Sequence, residues 1–161
     1  MIDIQKSPSS KIENTNFDNL VFGKVFTDHM MECDYVDGKW QKPVIKPYGP
    51  LTLDPSARVF HYGQAVFEGM KAFKDKDDRI WLFRPEENFK RINRSGKRLA
   101  IPEFPKDYFF NSLEELLKLD KDWIKKGFGN SLYIRPFIIA TEAGVSASAS
   151  NEYKFMIICS P

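Results

Sequence analysis

The amino-acid sequence predicts an α+β domain, an antiparallel β-sheet accompanied by two main helices. Asp37-Gly38 separates two short apolar runs, a strong signal for a two-residue β-hairpin. Apolar residues recur at helical spacing over residues 106–124, and charged residues fill the opposite face. The remaining strand-like segments lack the regular βαβ alternation of a parallel sheet, which favours antiparallel pairing.

Composition limits the class of protein. The chain has 161 residues, 42% of them hydrophobic, which is enough for one domain with a buried core. A net charge of only +2 argues against a nucleic-acid partner. Two widely separated cysteines and two histidines favour neither a disulfide framework nor a metal site. Without a signal peptide or an apolar stretch of membrane-spanning length, we expect a cytoplasmic protein with no membrane partner.

The predicted elements run from a polar lead-in to an apolar last strand. Residues 1–18 are predicted to form a loose polar segment, 19–157 the domain, and 158–161 the start of a linker to a second domain that this chain lacks. Strands are predicted over 21–35, just after the turn at 37–38, and over 60–62, 70–73, 79–83, 131–140 and 153–159; a helical turn is predicted over 64–68, and helices over 85–99 and 106–124.

Proline and glycine mark most of the boundaries between these elements. Pro85, followed by two glutamates, is typical of the first turn of a helix, where the dipole favours acidic side chains. Gly63 and Gly69 flank the predicted helical turn in "HYGQAVFEGMKAF", where a change of chain direction favours a residue without Cβ. Three prolines, at 43, 47 and 50, confine the segment after the hairpin turn to a short edge strand.

Two groups of arginines are candidates for anion binding. Arg135 lies within the apolar run "LYIRPFII", where strand alternation places Tyr133 and Phe137 on its face. A guanidinium on a half-buried face requires an anion or hydrogen bonds, so Arg135 forms either an internal ion pair or a site for a carboxylate or phosphate. Arg91, Arg94 and Arg98 share one helix face, and their spacing alone is typical of a solvated surface.

Five stretches of the sequence together resemble the N-terminal part of the branched-chain amino acid aminotransferases, fold-type IV enzymes that use pyridoxal 5′-phosphate (PLP). The stretches are "VFGKVFTDHM", "HYGQAVFEGMKAF", "LFRPEENFKRINRS", "DKDWI" and "SLYIRP", in the order of the family. The resemblance implies the small N-terminal α+β domain of that fold. It also implies a homodimer with the active site at the subunit interface.

The resemblance assigns roles that spacing alone does not. Arg91 matches the arginine that reaches the PLP phosphate, which raises it above Arg94 and Arg98. Phe22, Tyr62, Phe67, Tyr133 and Arg135 match residues around the substrate side chain and carboxylate, and Gly144 and Val145 lie in the matching loop "EAGVSAS". Tyr62 and this loop are implied to reach the partner's site. Glu68 is expected to orient backbone or a neighbouring side chain and not to transfer protons.

The implied reaction transfers the amino group of leucine, isoleucine or valine to 2-oxoglutarate through PLP. No lysine here, Lys71 included, matches the Schiff-base lysine, which is expected beyond Pro161. We therefore expect no catalytic residue in this chain and no activity from it alone. Two alternatives stay open: another fold-type IV enzyme, such as a D-amino acid aminotransferase or an aminodeoxychorismate lyase, and a binding module without catalysis.

Overall fold

The computed structural model describes residues 2–161, which contain one sheet of nine strands. The strands are Asp3–Ile4 (β1), His29–Val36 (β2), Lys39–Trp40 (β3), Val44–Pro47 (β4), Ala65–Phe67 (β5), Met70–Lys74 (β6), Ile80–Leu82 (β7), Leu132–Ala140 (β8) and Tyr153–Ser160 (β9). The α-helices are Arg58–Tyr62 (α1), Pro85–Arg98 (α2) and Lys106–Leu119 (α3), and short 3-10 helices lie at Ile12–Asn14, Phe17–Asn19 and Lys121–Trp123.

The strands follow the order β1-β4-β2-β9-β8-β6-β7, with β3 paired to β2 and β5 paired to β8. Among the nine named strands only the two-residue pairing of β1 with β4 is parallel, and every other pair of strands is antiparallel. The last strand, β9, lies in the middle of the sheet between β2 and β8. The structure confirms the predicted class, an α+β domain around an antiparallel sheet.

The two faces of the sheet have different surroundings. Along β8, Leu132, Ile134 and Ile138 are fully buried, whereas Tyr133 and Arg135 between them are only partly buried. The buried face packs against α2 and α3 in one hydrophobic cluster. Because side chains alternate along a strand, Tyr133 and Arg135 project from the face opposite this core. Tyr133 and Arg135 are therefore available to a site.

Several local predictions are confirmed. The turn at Asp37-Gly38 closes a hairpin in which Val36 pairs with Lys39. Helix α2 begins at Pro85 with acidic residues in its first turn, as the dipole argument predicts. Lys71 on β6 is exposed, as strand alternation allows.

The strand predicted over 21–35 begins only at His29. Upstream, the Lys24 N–H donates to the Val21 carbonyl, and Gly23 has φ 71°, so the chain turns where a strand was expected. The sequence pattern therefore predicted a strand that starts eight residues too early.

Around Gly63 the order of helix and strand is the opposite of the predicted one. Residues 60–62, predicted as strand, belong to helix α1, and part of the predicted helical turn is strand β5. Gly63 ends α1 in the left-handed region at φ 61°, its N–H donating to the Val59 carbonyl. The chain is then free to pair with β8, a long-range contact that a local apolar pattern does not encode.

The helix predicted over 106–124 ends at Leu119. Asp120 follows, and its carboxylate accepts hydrogen bonds from the His29 ring Nδ1 at 2.6 Å and the His29 backbone N–H at 3.1 Å. The chain continues as the 3-10 helix Lys121–Trp123. Within residues 2–161, each helix is too short or too polar to cross a lipid bilayer.

The N-terminal residues have defined contacts. The Ser7 N–H donates to His29 Nε2 at 2.8 Å, and Ser10 and the Lys11 N–H donate to the Asp28 carboxylate. At the other end, β9 continues to Ser160, three residues past the predicted end of the domain.

Candidate functional site

Arg135 is held on the open face of the sheet by two aromatic side chains. Its Nε and Nη2 donate to the Tyr133 hydroxyl at 3.0 and 2.6 Å. Its guanidinium carbon lies 4.3 Å from the centroid of the Phe67 ring, a cation–π contact. β8 positions the arginine and the tyrosine two residues apart, and β5 pairs beside them and positions the phenylalanine.

The internal ion pair that remained possible for Arg135 is not formed. Within residues 2–161, no aspartate or glutamate oxygen lies within 4.0 Å of its guanidinium nitrogens. A tyrosine hydroxyl and an aromatic face stabilise the guanidinium but leave its charge uncompensated. This arrangement favours the other interpretation, a site for an anionic group.

Exposed aromatic rings surround this cation. Phe22 packs edge-on against Tyr133, with ring centroids 5.0 Å apart. Phe22 remains 69% exposed and Phe67 64% exposed, and exposed apolar rings grouped on one surface are typical of a binding site. The face thus combines a cation with apolar walls, which suits a molecule with a carboxylate at one end and an aliphatic group at the other.

A second guanidinium lies on α2. Arg91 forms a bidentate pair with Glu68, Nε to Oε1 at 2.5 Å and Nη2 to Oε2 at 2.6 Å. The Glu68 side chain is only 4% exposed and also accepts a hydrogen bond from Asn88 Nδ2 at 2.9 Å. Arg91, by contrast, is 53% exposed. Arg94 and Arg98 on the same helix are exposed, so only Arg91 of the three is tied to a buried acid.

The electrostatics of this pair follow from its geometry. Burial alone raises the pKa of Glu68, but the hydrogen bonds from Arg91 and Asn88 outweigh it, so the pKa of Glu68 is lowered from its ordinary value. The hydrogen bond to Glu68 likewise raises the pKa of Arg91. Both groups are therefore charged at neutral pH. Glu68 can compensate the charge of Arg91 while leaving its remaining N–H groups for a ligand.

Arg91 lines a groove of about 1050 Å³ between the β6–β7 hairpin and the start of α2. Lys71 and Arg84 also line this groove, as do the aromatic rings of Phe73 and Trp81. Phe83 is a third aromatic ring in the lining, and Glu87 is its one acid. Three cationic side chains against one acid, with three aromatic rings, suit a flat, anionic ligand.

The loop after β8 contains Gly144 and Val145. Val145 is 67% exposed, and its carbonyl accepts a hydrogen bond from the Tyr62 hydroxyl at the end of α1. Gly144 has φ 146°, a conformation that favours glycine, and its N–H donates to the Ser56 carbonyl at 3.1 Å. The loop is thus attached to the segment that begins α1.

Arg58, which sequence reasoning missed, fixes this loop. It is 5% exposed, its Nη1 donates to the carbonyls of Ser146 and Ser148 at 3.1 and 2.6 Å, and its Nη2 donates to Glu142 Oε1 at 3.2 Å. These partners lie 84 to 90 residues further along the chain. The only local signal was an arginine beside apolar residues in "SARVF", which does not reveal such partners.

The observed contacts divide the predicted site residues into two groups, with Arg91 joined to the first. Phe22, Phe67, Tyr133 and Arg135 form the first group on the open face of the sheet. Tyr62, Gly144 and Val145 form the second group at the loop. Arg91 connects to the first group through Glu68, the residue after Phe67.

The fold matches known structures over most of the chain. A branched-chain amino acid aminotransferase from Thermobaculum terrenum, described in its PLP form, aligns with TM-score 0.61 and 18% identity over 83% of this chain and 40% of that chain. The enzyme from Thermoproteus uzoniensis, described with norvaline, aligns with TM-score 0.59 and 20% identity over 80% of this chain and 40% of that chain. The fold is that of the N-terminal region of a fold-type IV enzyme.

Sequence comparison finds relatives at about 50% identity. The chain is 53% identical to branched-chain-amino-acid transaminase 1 of Bacillus subtilis over 144 residues, which are 89% of this chain and 40% of that protein. It is 51% identical to branched-chain-amino-acid aminotransferase 2 of the same organism over 95% of this chain and 42% of that protein. It is a homologue of the branched-chain aminotransferases and spans about two-fifths of their length. No protein-family model matches the chain.

Proposed function

We propose that the chain is the N-terminal portion of an enzyme that transfers the amino group of leucine, isoleucine or valine to 2-oxoglutarate with PLP. The observation that carries the proposal is Arg135, a guanidinium without an acidic partner in the described chain, set between exposed aromatic rings. A branched-chain amino acid or its 2-oxo acid offers a carboxylate for the cation and an aliphatic side chain for the rings.

The apolar walls account for the proposed substrate class. Aliphatic side chains have no polar group to recognise, so selection among them depends on the shape of the pocket and on small energies per methylene. Phe22 and Phe67 are the exposed walls of this kind beside Arg135. The names of the relatives at about 50% identity favour this activity over a D-amino acid aminotransferase or an aminodeoxychorismate lyase.

Arg91 fits the phosphate end of PLP. Its Nε and Nη2 are engaged by Glu68, whereas Nη1 has no acceptor within the described residues, and the side chain borders the groove. PLP, when bound, supplies the electron sink for loss of the α-proton. Residues 2–161 contribute a phosphate-binding cation, Arg91, and the carboxylate-binding arginine, Arg135. The Schiff-base lysine is proposed to lie beyond Pro161.

We also propose a cytoplasmic homodimer in which Tyr62, Gly144 and Val145 complete the partner's active site. Two features support this arrangement: the exposure of Val145 and the fixing of its loop by the buried Arg58. Both cysteines are buried thiols without a disulfide, which fits a reducing compartment. The boundary between the small domain, 19–157, and its linker stays a prediction.

Arg91→Ala is expected to weaken PLP binding by about 1–3 kcal/mol, the scale of a hydrogen bond to a charged group. Absorbance titration of PLP into the full-length protein measures the effect. Arg98→Ala, which removes an exposed arginine from the same helix, is the matched control and is expected to leave the affinity unchanged. Equal affinities for wild type and Arg91→Ala would contradict the assignment.

The 161-residue chain alone is expected to show no transamination of leucine with 2-oxoglutarate, whereas the full-length protein is expected to be active. The reason is that no lysine in the chain matches the one that carries the cofactor. A coupled assay of glutamate formation on both proteins, with intact mass confirming their lengths, makes the comparison. Turnover by the short chain would refute the expected inactivity, and lack of turnover by the full-length protein would refute the proposed function.

A further inference from the structure

Three consecutive residues, Phe67-Glu68-Gly69, each contact one part of the anion-binding machinery. The Phe67 ring lies under the guanidinium of Arg135. The Glu68 carboxylate holds Arg91. Gly69 lies against Tyr133, whose hydroxyl accepts both hydrogen bonds from Arg135.

The path of the backbone explains how adjacent residues reach different groups. Phe67 is the last residue of β5 and pairs with Phe137 on β8, and the Glu68 N–H donates to the Pro136 carbonyl at 2.8 Å. Two residues later, Met70 begins β6 and pairs with Ile134 on the same strand. The tripeptide thus joins two strands that share β8 as their neighbour. Phe67 faces the open side of the sheet, while Glu68 reaches α2.

We propose that Phe67-Glu68-Gly69 is a positioning element that fixes both guanidinium groups, Arg91 through Glu68 and Arg135 through Tyr133 and Phe67. The ligands of the two arginines, the PLP phosphate and the substrate carboxylate, rest on the proposed function. The positioning itself rests on the contacts within the chain.

Glu68 acts on Arg91 by fixing the plane of its guanidinium. Two parallel hydrogen bonds to Nε and Nη2 define both the position and the rotation of the group. Glu68 is buried and also held by Asn88, whereas Arg91 is half-exposed, so the arginine adopts the orientation that the acid dictates. Without the acid, a long exposed side chain samples many rotamers and loses them on binding.

Gly69 acts on Arg135 by leaving space. A Cβ at this position would lie 2.6 Å from the Tyr133 hydroxyl and 3.2 Å from two of its ring carbons. The backbone of Gly69 is not in the left-handed region, so space and not conformation requires glycine here. Any larger residue would displace the tyrosine and, with it, the only hydrogen-bond acceptor recorded for Arg135 within the described chain.

Glu68→Gln tests the first contact in the full-length protein. An amide has one acceptor oxygen where the carboxylate has two, so the two parallel hydrogen bonds of Arg91 cannot both form. The dissociation constant of PLP is therefore expected to rise about 10-fold, with the KM for leucine changed less than about twofold. Glu114→Gln, which alters an exposed ion-paired carboxylate on α3, is the matched control. Asn88→Ala removes one hydrogen bond to Glu68 but leaves the carboxylate in place, so a smaller rise in the dissociation constant of PLP is expected.

Gly69→Ala tests the second contact. The KM for leucine is expected to rise about 10-fold, while PLP affinity changes less than about twofold, because only Tyr133 and Arg135 are displaced. Gly49→Ala is the control, since a Cβ there meets nothing within 4 Å. In a Tyr133→Phe background, Gly69→Ala is expected to raise the KM for leucine by less than about twofold, because the hydroxyl that the new Cβ would displace is already absent.

Failure of the inference can be told apart from failure of the proposed function. If wild type binds PLP and Arg91→Ala weakens it, but Glu68→Gln behaves like Glu114→Gln, the positioning role is overturned. If wild type binds no PLP, the proposed function fails, and a crystal structure of Glu68→Gln and Gly69→Ala decides the positioning. Unmoved Arg91 and Arg135 in those crystals would overturn it; displaced guanidinium groups would support it.

Discussion

Asp120→Ala is expected to lower the free energy of unfolding by about 2–6 kcal/mol, because two buried donors each lose their acceptor at a cost of about 1–3 kcal/mol. Asp120 is 2% exposed and accepts from both the ring and the backbone of His29. Truncation leaves these two donors buried and without an acceptor. The contact with Ser7 fixes the tautomer of His29. Because Nε2 accepts a hydrogen bond from the Ser7 N–H, the ring proton lies on Nδ1.

Urea-induced unfolding of Asp120→Ala beside wild type measures the loss. Asp122→Ala, an exposed aspartate two residues later in the chain, is the matched control and should change stability by less than about 0.5 kcal/mol. Amide hydrogen exchange at Ser7 and Lys11 should also accelerate, since His29 and Asp28 anchor both. Equal stability of the two variants would mean that the His29–Asp120 contact is not part of the folded core.

Arg58→Ala is expected to release the loop after β8 and to cost about 2–3 kcal/mol, the scale of hydrogen bonds to a buried charged donor. Arg58 supplies side-chain donors to Glu142, Ser146 and Ser148 together. The hydrogen bond from Asn151, more than the Arg58 contact, lowers the pKa of Glu142 below its ordinary value, so the acid remains charged when the arginine is gone. The loop then keeps its backbone contacts and the hydrogen bond from the Tyr62 hydroxyl to the Val145 carbonyl.

Amide exchange localises this effect. Faster exchange is expected at Gly144 and Ser148, whose N–H groups are protected by the loop geometry, and unchanged exchange at Phe155 in the central strand. Arg94→Ala, which removes an exposed arginine, is the control. Unchanged protection at Gly144 in Arg58→Ala would show that the loop is held without Arg58, by its other contacts.

Local signals predicted the elements that local forces determine. The hairpin at Asp37-Gly38 and the start of α2 at Pro85 depend on residues within one turn of each other, and both are confirmed. The α+β class was predicted from hairpin and helix signals that lack the regular βαβ alternation of a parallel sheet. Local preference and tertiary pairing conflict at residues 60–68. There the pairing of β5 with β8 determines the structure, and the predicted strand and helical turn were wrong.

The candidate site depends on distant partners, which explains what sequence could not provide. Arg91 meets Glu68 23 residues away, and Arg58 meets Ser148 90 residues away. No periodicity encodes these separations. For Arg135 the sequence restricted the choice to an ion pair or an anion site, and only the surroundings of the folded arginine distinguish them. The resemblance selected Arg91 among three arginines, and the buried acid gives a physical reason for that choice.

The position of β9 has a consequence for biosynthesis. β2 ends at Val36, whereas β9, its neighbour in the sheet, begins only at Tyr153. A ribosome therefore completes β2 long before β9, and the peptide groups along that edge of β2 remain unpaired in the meantime. The sheet cannot fold cooperatively until β9 is complete at Ser160. Nascent chains that pause before this strand is made are therefore candidates for binding by chaperones or for strand pairing with another chain.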